Sequence, residues 1–335
     1  MKKTLVCILA LVLALMMAVP AFAAEPIMDP KDARVGVILY PSSNTTIQVM
    51  IHGFMETAEN LGMKTLYIGG DTSDTAAVEQ MLDSAIAQYD DLTAVCLNIS
   101  NETRWQMAKQ LTDAGIYVIC CWSNLKEEDI EASGINREYL LGYHATPAYD
   151  YGYEAGLNMG EAVGGKGTVA ITQNTFAFNE NEAARGFTEA LAEHYPEMKV
   201  LDPQLEGAEV TNGIAVVTSI IQANFGDLVG AFGVTGTSAQ TWSTAAEDLG
   251  WNGYIIGMDA TSANLDILEA GGVGALVAQP MYGAYSDCAK HIYDFLSGVE
   301  VPFENWVECP TITAEQAPEY RDILNGVDVY ESVFE

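Results

Sequence analysis

Arg34-Val35-Gly36-Val37-Ile38-Leu39-Tyr40 is a short, largely apolar run, and the residues after it change period. Ile47, Met50, Ile51, Phe54, Met55, Ala58 and Leu61 recur at helical spacing and stop at Gly62. The run reads as a strand and the second segment as an amphipathic helix ended by glycine. Lys64 to Ile68 then reads as a strand, Thr75 to Tyr89 as a helix, Ala94 to Ile99 as a strand, Thr103 to Ala114 as a helix stopped by Gly115, and Tyr117 to Cys121 as a strand. Strands separated by one helix each imply right-handed crossovers and a parallel sheet. The first half of the chain is therefore expected to be a doubly wound α/β unit.

The pattern breaks at an irregular Tyr143-His144-Ala145-Thr146-Pro147 and then restarts. Helices are expected at Tyr151 to Val163, Asn181 to His194, Asn212 to Ala223, Ala239 to Leu249 and Tyr285 to Leu296. Strands are expected at Thr168 to Thr172, Met198 to Leu201, Leu228 to Gly233, Tyr254 to Met258 and Ala275 to Ala278. Two α/β units of similar size leave a cleft between them, and ligands of such sheets bind at the carboxyl ends of the strands. The loops after Tyr40, Cys121, Thr172, Gly233 and Met258 are the places where a site is expected.

The N-terminus carries a separate signal. Lys2 and Lys3 lead an uncharged apolar run from Leu5 to Val19, followed by Pro20 and Ala21-Phe22-Ala23. A basic start, a short apolar stretch and an A-x-A site read as a secretory leader, residues 1–23, cleaved before Ala24. The run is too short for the ~20 residues of a spanning helix. Cys7 has no small residues before it for a lipoprotein peptidase. The expected product is periplasmic or secreted and not inserted in a membrane.

Removal of residues 1–23 leaves 312 residues, a length natural for two domains, and a net charge of −34 with only twelve Lys and Arg. Phosphate contacts require basic side chains, so nucleic-acid binding is excluded. Five cysteines remain. Cys96 and the Cys120-Cys121 pair fall in apolar runs and read as buried, inert thiols, and Cys288 with Cys309 is the one pairing open to a bridge.

No enzyme signature emerges. Gly160-Glu161-Ala162-Val163-Gly164-Gly165-Lys166-Gly167 approximates a phosphate-binding loop, but Gly167 stands where Ser or Thr is needed, and it joins a helix to a strand in the wrong order. It reads as a helix cap and turn. His52, His144, His194 and His291 have no metal-ligand spacing, and Gly236-Thr237-Ser238-Ala239-Gln240 lacks the second glycine of a nucleophile elbow. Acids such as Asp71 with Asp74 and Asp90 with Asp91 lie in turns that favour them. No cofactor is implied.

The strand, loop and helix reaching Gly53-Phe54, Gly156 with the following Gly-Gly-Lys-Gly-x-Val-Ala-Ile segment, Gly186-Phe187, Gly257-Met258-Asp259 and Gln279-Pro280 stand together in order. In this the chain resembles the periplasmic sugar-binding proteins of the ribose and galactose type, the type I substrate-binding proteins of ABC importers, over roughly residues 34–310. The resemblance implies two doubly wound parallel-sheet lobes joined by a three-crossover hinge. The N-terminal lobe would be 33–145 plus 282–306 and the C-terminal lobe 146–281 plus 307–335. It further implies a small-molecule ligand held between the lobes and permease subunits that read the closed form.

Carried residue by residue, the resemblance makes Asn44, Asn179, Asp259 and Gln279 ligand contacts of unchanged polar type. Thr46 and Ile47 replace a usual aromatic pair, Trp122 and Ser123 a usual Asp-Arg, Ala183 a usual Arg, Thr235 and Gly236 an Asn-Asp, and the second-lobe aromatic falls near Ala208. Sugars are held by aromatic faces and charged bidentate groups. With those charges missing and Tyr40 and Trp122 adding flat apolar area, the expectation is a less charged cleft with a shifted stacking platform, for a less hydroxylated or planar solute. Trp122 as plain core is the other reading. The candidate site is thus Tyr40, Asn44, Thr46, Trp122, Ser123, Asn179, Thr235, Asp259 and Gln279. The functional expectation is capture for an ABC importer, with a chemoreceptor or sensor-kinase partner second and a secreted α/β enzyme third.

Overall fold

A computed structural model describes residues 26–326 except Ser73, Ser100 and Ala208. The expected leader, Ala208 and the last nine residues lie outside the described part. Among the described residues, strands and helices alternate as β1 (Arg34–Ile38), α1 (Thr45–Asn60), β2 (Lys64–Ile68), α2 (Thr75–Gln88), β3 (Leu92–Leu97), α3 (Glu102–Asp113), β4 (Tyr117–Cys121), α4 (Glu127–Ser133) and β5 (Leu140–Ala145). They continue as α5 (Ala148–Ala162), β6 (Lys166–Gln173), α6 (Phe178–His194), β7 (Glu197–Val200), β8 (Gln204–Leu205), α7 (Val210–Asn224), β9 (Leu228–Gly233), α8 (Ser238–Leu249), β10 (Tyr254–Met258), α9 (Ser262–Glu269) and β11 (Ala275–Val277). The chain ends through α10 (Met281–Leu296), β12 (Glu304–Trp306), β13 (Thr311–Ile312) and α11 (Ala317–Gly326).

Two sheets result. The first has the order β12-β5-β4-β3-β1-β2 and is parallel throughout; the second runs β13-β11-β10-β9-β6-β7, with β8 beside β6 and only β13 antiparallel. In β1, Val35 and Val37 face a core with Ile51, Phe54 and Tyr285, while Ile38 faces one with Leu82 and Leu111. Burial of both faces is what a parallel sheet between helices requires. Strand order reverses between β1 and β3 in the first sheet and between β6 and β9 in the second. Those switch points open crevices at the carboxyl ends of the strands.

The chain passes between sheets after β5, between β11 and α10, and between β12 and β13. Helix α10 belongs to the first sheet, since it packs on α1. Gly53 permits that contact, because a Cβ there would collide with the Tyr282 carbonyl. Gly186 does the same for α5 on α6, where a Cβ would strike the Tyr149 carbonyl.

One expectation needs correction. Residues 143–147 are not all irregular: Tyr143, His144 and Ala145 complete β5, which pairs with β4 and β12. Cys288 and Cys309 are not bridged. All five described cysteines are free and buried, Cys288 under the first sheet and Cys309 under the second. His144 and His291, far apart in the sequence, meet in the interior, with Nε2 and Nδ1 3.3 Å apart. The glycine-rich segment at 160–167 does form a helix end and turn into β6, with Gly164 and Gly165 at φ 76° and 73°.

Candidate ligand-binding site

Asp259 follows β10 and its neighbourhood is tightly built. Its backbone N–H donates to Val277 at 2.9 Å, and the buried Asn264 amide donates to the carbonyls of Met258, Asp259 and Gly236 at 2.9, 3.1 and 2.8 Å. These bonds hold Asp259 at φ 68°, in the left-handed region. Capping of α9 falls to Thr261, whose hydroxyl accepts from Asn264 N, so the Asp259 carboxyl is not used for it. Asp259 Oδ1 is buried and has no hydrogen-bond partner. Burial pushes the carboxyl pKa up to about 6.

That carboxyl lines a cavity of about 210 Å³. Thr46 and Val49 of α1 and Met281 and Tyr282 of α10 form one wall. Asp259, Gln279 and Tyr320 of α11 contribute the other. Of the nine candidates, three therefore meet: Thr46, Asp259 and Gln279.

The other six have different placements. Asn44 caps α1, its Oδ1 accepting from the N–H groups of Thr46 and Ile47 at 2.9 and 3.3 Å. Ser123 is buried, and its Oγ accepts from Ile99 N at 2.7 Å, tying the end of β4 to the end of β3. Thr235 uses its carbonyl to accept from Ser238 at the start of α8. Asn179 lines a second cavity of about 280 Å³ with Asn124, Phe178, Glu182 and Trp306. Trp122 sits at φ 56° with its ring packed on the first core, yet its Nε1 is buried without a partner. Tyr40 is half-buried beneath a guanidinium, that of Arg104, 4.2 Å from the ring centroid.

Arg104 adds a buried charge at the edge of the first sheet that the sequence reading does not single out. It stands in the first turn of α3, after β3, and is only 8% exposed. Nothing in the sequence marks it, because one arginine near a helix start normally lies on a solvated face. Gln173 and Glu206 were missed for a similar reason. They meet at the end of β6, where Glu206 N donates to the Gln173 carbonyl at 2.9 Å and Thr241 Oγ1 donates to Glu206 Oε2 at 2.7 Å. Burial raises the Glu206 pKa to about 7 against the opposing hydrogen bonds from Thr241 and Thr172. The remaining oxygens, Glu206 Oε1 and Gln173 Oε1, are buried and unpartnered.

A common location links these atoms. Arg104 Nη1, Trp122 Nε1, Gln173 Oε1, Glu206 Oε1, Thr237 Oγ1 and Asp259 Oδ1 all lie at or just beyond carboxyl ends of strands, and none has a partner among the described residues. Native interiors leave few such groups, each at a cost of about 1–3 kcal/mol. Six of the ten such atoms among the described residues thus lie at these strand edges. Among the described residues, no three His, Cys, Asp or Glu side chains group as a metal site, and no helix is long and apolar enough to cross a membrane.

The sequence profile of the periplasmic binding protein domain matches residues 35–300. The chain belongs to the periplasmic binding protein family. Solved structures agree on the fold. An ABC transporter periplasmic solute-binding protein from Actinobacillus succinogenes 130z with bound D-allose is 22% identical, covers 86% of this chain and all of its own, and has a TM-score of 0.73. AraP, an arabinose-binding protein from Geobacillus stearothermophilus, is 18% identical over 86% of this chain and 99% of its own, with a TM-score of 0.74. A chain of the XylFII–LytSN complex is 18% identical over 84% of this chain and 98% of its own, with a TM-score of 0.65. The two parallel-dominated sheets are thus those of a type I periplasmic binding protein.

Proposed function

We propose that this periplasmic binding protein captures a small polar, sugar-like solute between two lobes, outside the cytoplasm, and delivers it to an ABC importer without chemical change. The lobes are 33–145 plus 282–306 and 146–281 plus 307–335, and residues 1–23 direct export. The reading is carried by one observation: the unpartnered Asp259 carboxyl in a cavity with walls from α1, α10 and the ends of β10 and β11. A ligand hydroxyl there satisfies the carboxyl and joins the two walls, which favours closure. The D-allose and arabinose named for the neighbours support a carbohydrate ligand.

A second reading is that a chemoreceptor or sensor kinase detects the closed form. The XylFII–LytSN complex supports it to the extent that a chain of this fold sits in a complex with a second protein.

The test is a thermal-shift screen of the mature chain against monosaccharides, polyols, nucleosides and amino acids, followed by small-angle scattering. A ligand at 100 times its dissociation constant adds ~2.7 kcal/mol to stability. Stabilisation by a sugar with a reduced radius of gyration is expected. Stabilisation without compaction counts against hinge closure, and silence across the sugar and polyol arms counts against solute capture.

A further inference from the structure

We infer that Arg104 is a specificity-determining residue, which selects a ligand carrying a carboxylate, so that the solute is a sugar acid and not a neutral sugar. The inference rests on the solute-capture reading and narrows it.

Arg104 lies where a ligand of such a sheet binds. It follows β3, and the Tyr40 ring beneath it follows β1; these two strands flank the switch point of the first sheet. The Tyr40 ring holds the guanidinium carbon 4.2 Å from its centroid, a contact that favours the cation without neutralising it.

The chain carries 46 Asp and Glu, yet no carboxylate is paired with Arg104 among the described residues, whereas Arg34, Arg137, Arg185 and Arg321 each have one. Nη1 is buried with no hydrogen-bond acceptor. Guanidinium does not discharge at accessible pH, so burial cannot be relieved by losing a proton. A buried cation without a counter-ion is costly, and an anion brought in from outside removes that cost.

Polarity across the molecule gives direction. Of the unsatisfied groups on the first sheet's side, Arg104 Nη1 and Trp122 Nε1 can only donate. Those on the second sheet's edge include the carboxyl oxygens of Glu206 and Asp259. A sugar acid has matching ends: carboxylate oxygens that accept and ring hydroxyls that donate. A carboxylate fits one guanidinium and one indole N–H. A phosphate dianion would be left undercompensated by a single cation and would approach a strongly acidic protein.

The experiment compares D-galactose and D-glucose with D-galacturonate, D-glucuronate and D-gluconate by isothermal titration calorimetry on the mature chain, with galactose 6-phosphate as a further arm. At least one acid is expected to bind about tenfold or more tightly than its neutral parent. Arg104→Gln should bring that ratio close to one, and Arg104→Lys should retain part of it. Neutral sugars binding as well as the acids would overturn the inference while leaving solute capture intact. A preference that survives in Arg104→Gln would overturn the role of Arg104, and tighter binding of the phosphate would overturn the carboxylate. Binding by none of the probes counts against both readings. Should Arg104→Gln fail to fold, the ratio measured on the unaltered protein decides by itself.

Discussion

Replacing Asp259 by asparagine is expected to stabilise the ligand-free protein and weaken ligand binding at the same time. Burial lifts the carboxyl pKa from 3.8 to about 6. At about 1.4 kcal/mol per unit, holding the ionised form in the fold costs about 3 kcal/mol, an upper bound at a partly exposed strand edge. The direction follows from proton linkage. An acid with a raised pKa binds more protons folded than unfolded, so its contribution is unpenalised below about pH 4, falls as pH rises to about 6, and stays low above that. Asp259→Asn, neutral and nearly isosteric, should therefore raise stability at pH 7 and leave it unchanged near pH 3.5. Loss of a charge-assisted bond to a ligand hydroxyl should weaken affinity by about 1.5–3 kcal/mol, roughly ten- to a hundredfold. Denaturant unfolding at both pH values and calorimetric affinity at pH 7 measure the two effects on one variant. Lower stability at pH 7 with unchanged affinity would refute the reasoning, because it would make the carboxyl a structural group with a satisfied role.

Other residues give sharper structural outcomes. Asn44→Ala should cost about 1 kcal/mol by uncapping α1, while Asn44→Asp, which keeps the acceptor, should cost little; equal melting temperatures for the alanine variant and the parent would contradict the cap. Burial holds His144 and His291 down to about 4, with the neighbouring ring adding to this for His291. Their contribution is complete above about pH 6.5 and lost as pH falls towards 4, so His291→Gln should flatten acid destabilisation between those values; superimposable acid-unfolding curves would deny the pair that role. The five thiols of a chain lacking residues 1–23 should be silent to a thiol reagent when native and all react in denaturant, and a peptide joining Cys288 to Cys309 would contradict this.

The fold class was legible because its signal is local. Val35, Val37 and Ile38 sit in one continuous apolar run, and α1 declares itself by six apolar residues at helical spacing from Ile47 to Ala58. A parallel sheet with both faces covered needs little else. Strand β5 was missed because Gly142, Tyr143 and His144 interrupt the buried apolar run that Leu140 and Leu141 begin. Gly142 is there for a backbone reason: it has φ 139°, and a Cβ would strike the Phe303 carbonyl ahead of β12. That contact joins segments more than 150 residues apart, so no window of sequence contains it.

The candidate site divides along the same line. Asp259 could be placed because it ends a strand that announces itself, and the loop beyond such a strand opens on the crevice whatever the rest of the chain does. Asn44 has the same address, but its Oδ1 is committed to α1, a competition between cap and ligand that residue type alone does not decide. Arg104 inverts the case. The residue looks ordinary at the start of a helix that also carries Glu102, and its importance arises only when the fold buries it over Tyr40 and supplies no carboxylate. A sequence therefore shows which polar groups reach a strand edge, whereas the packed chain shows which of them remain unpaired, and recognition depends on the second set.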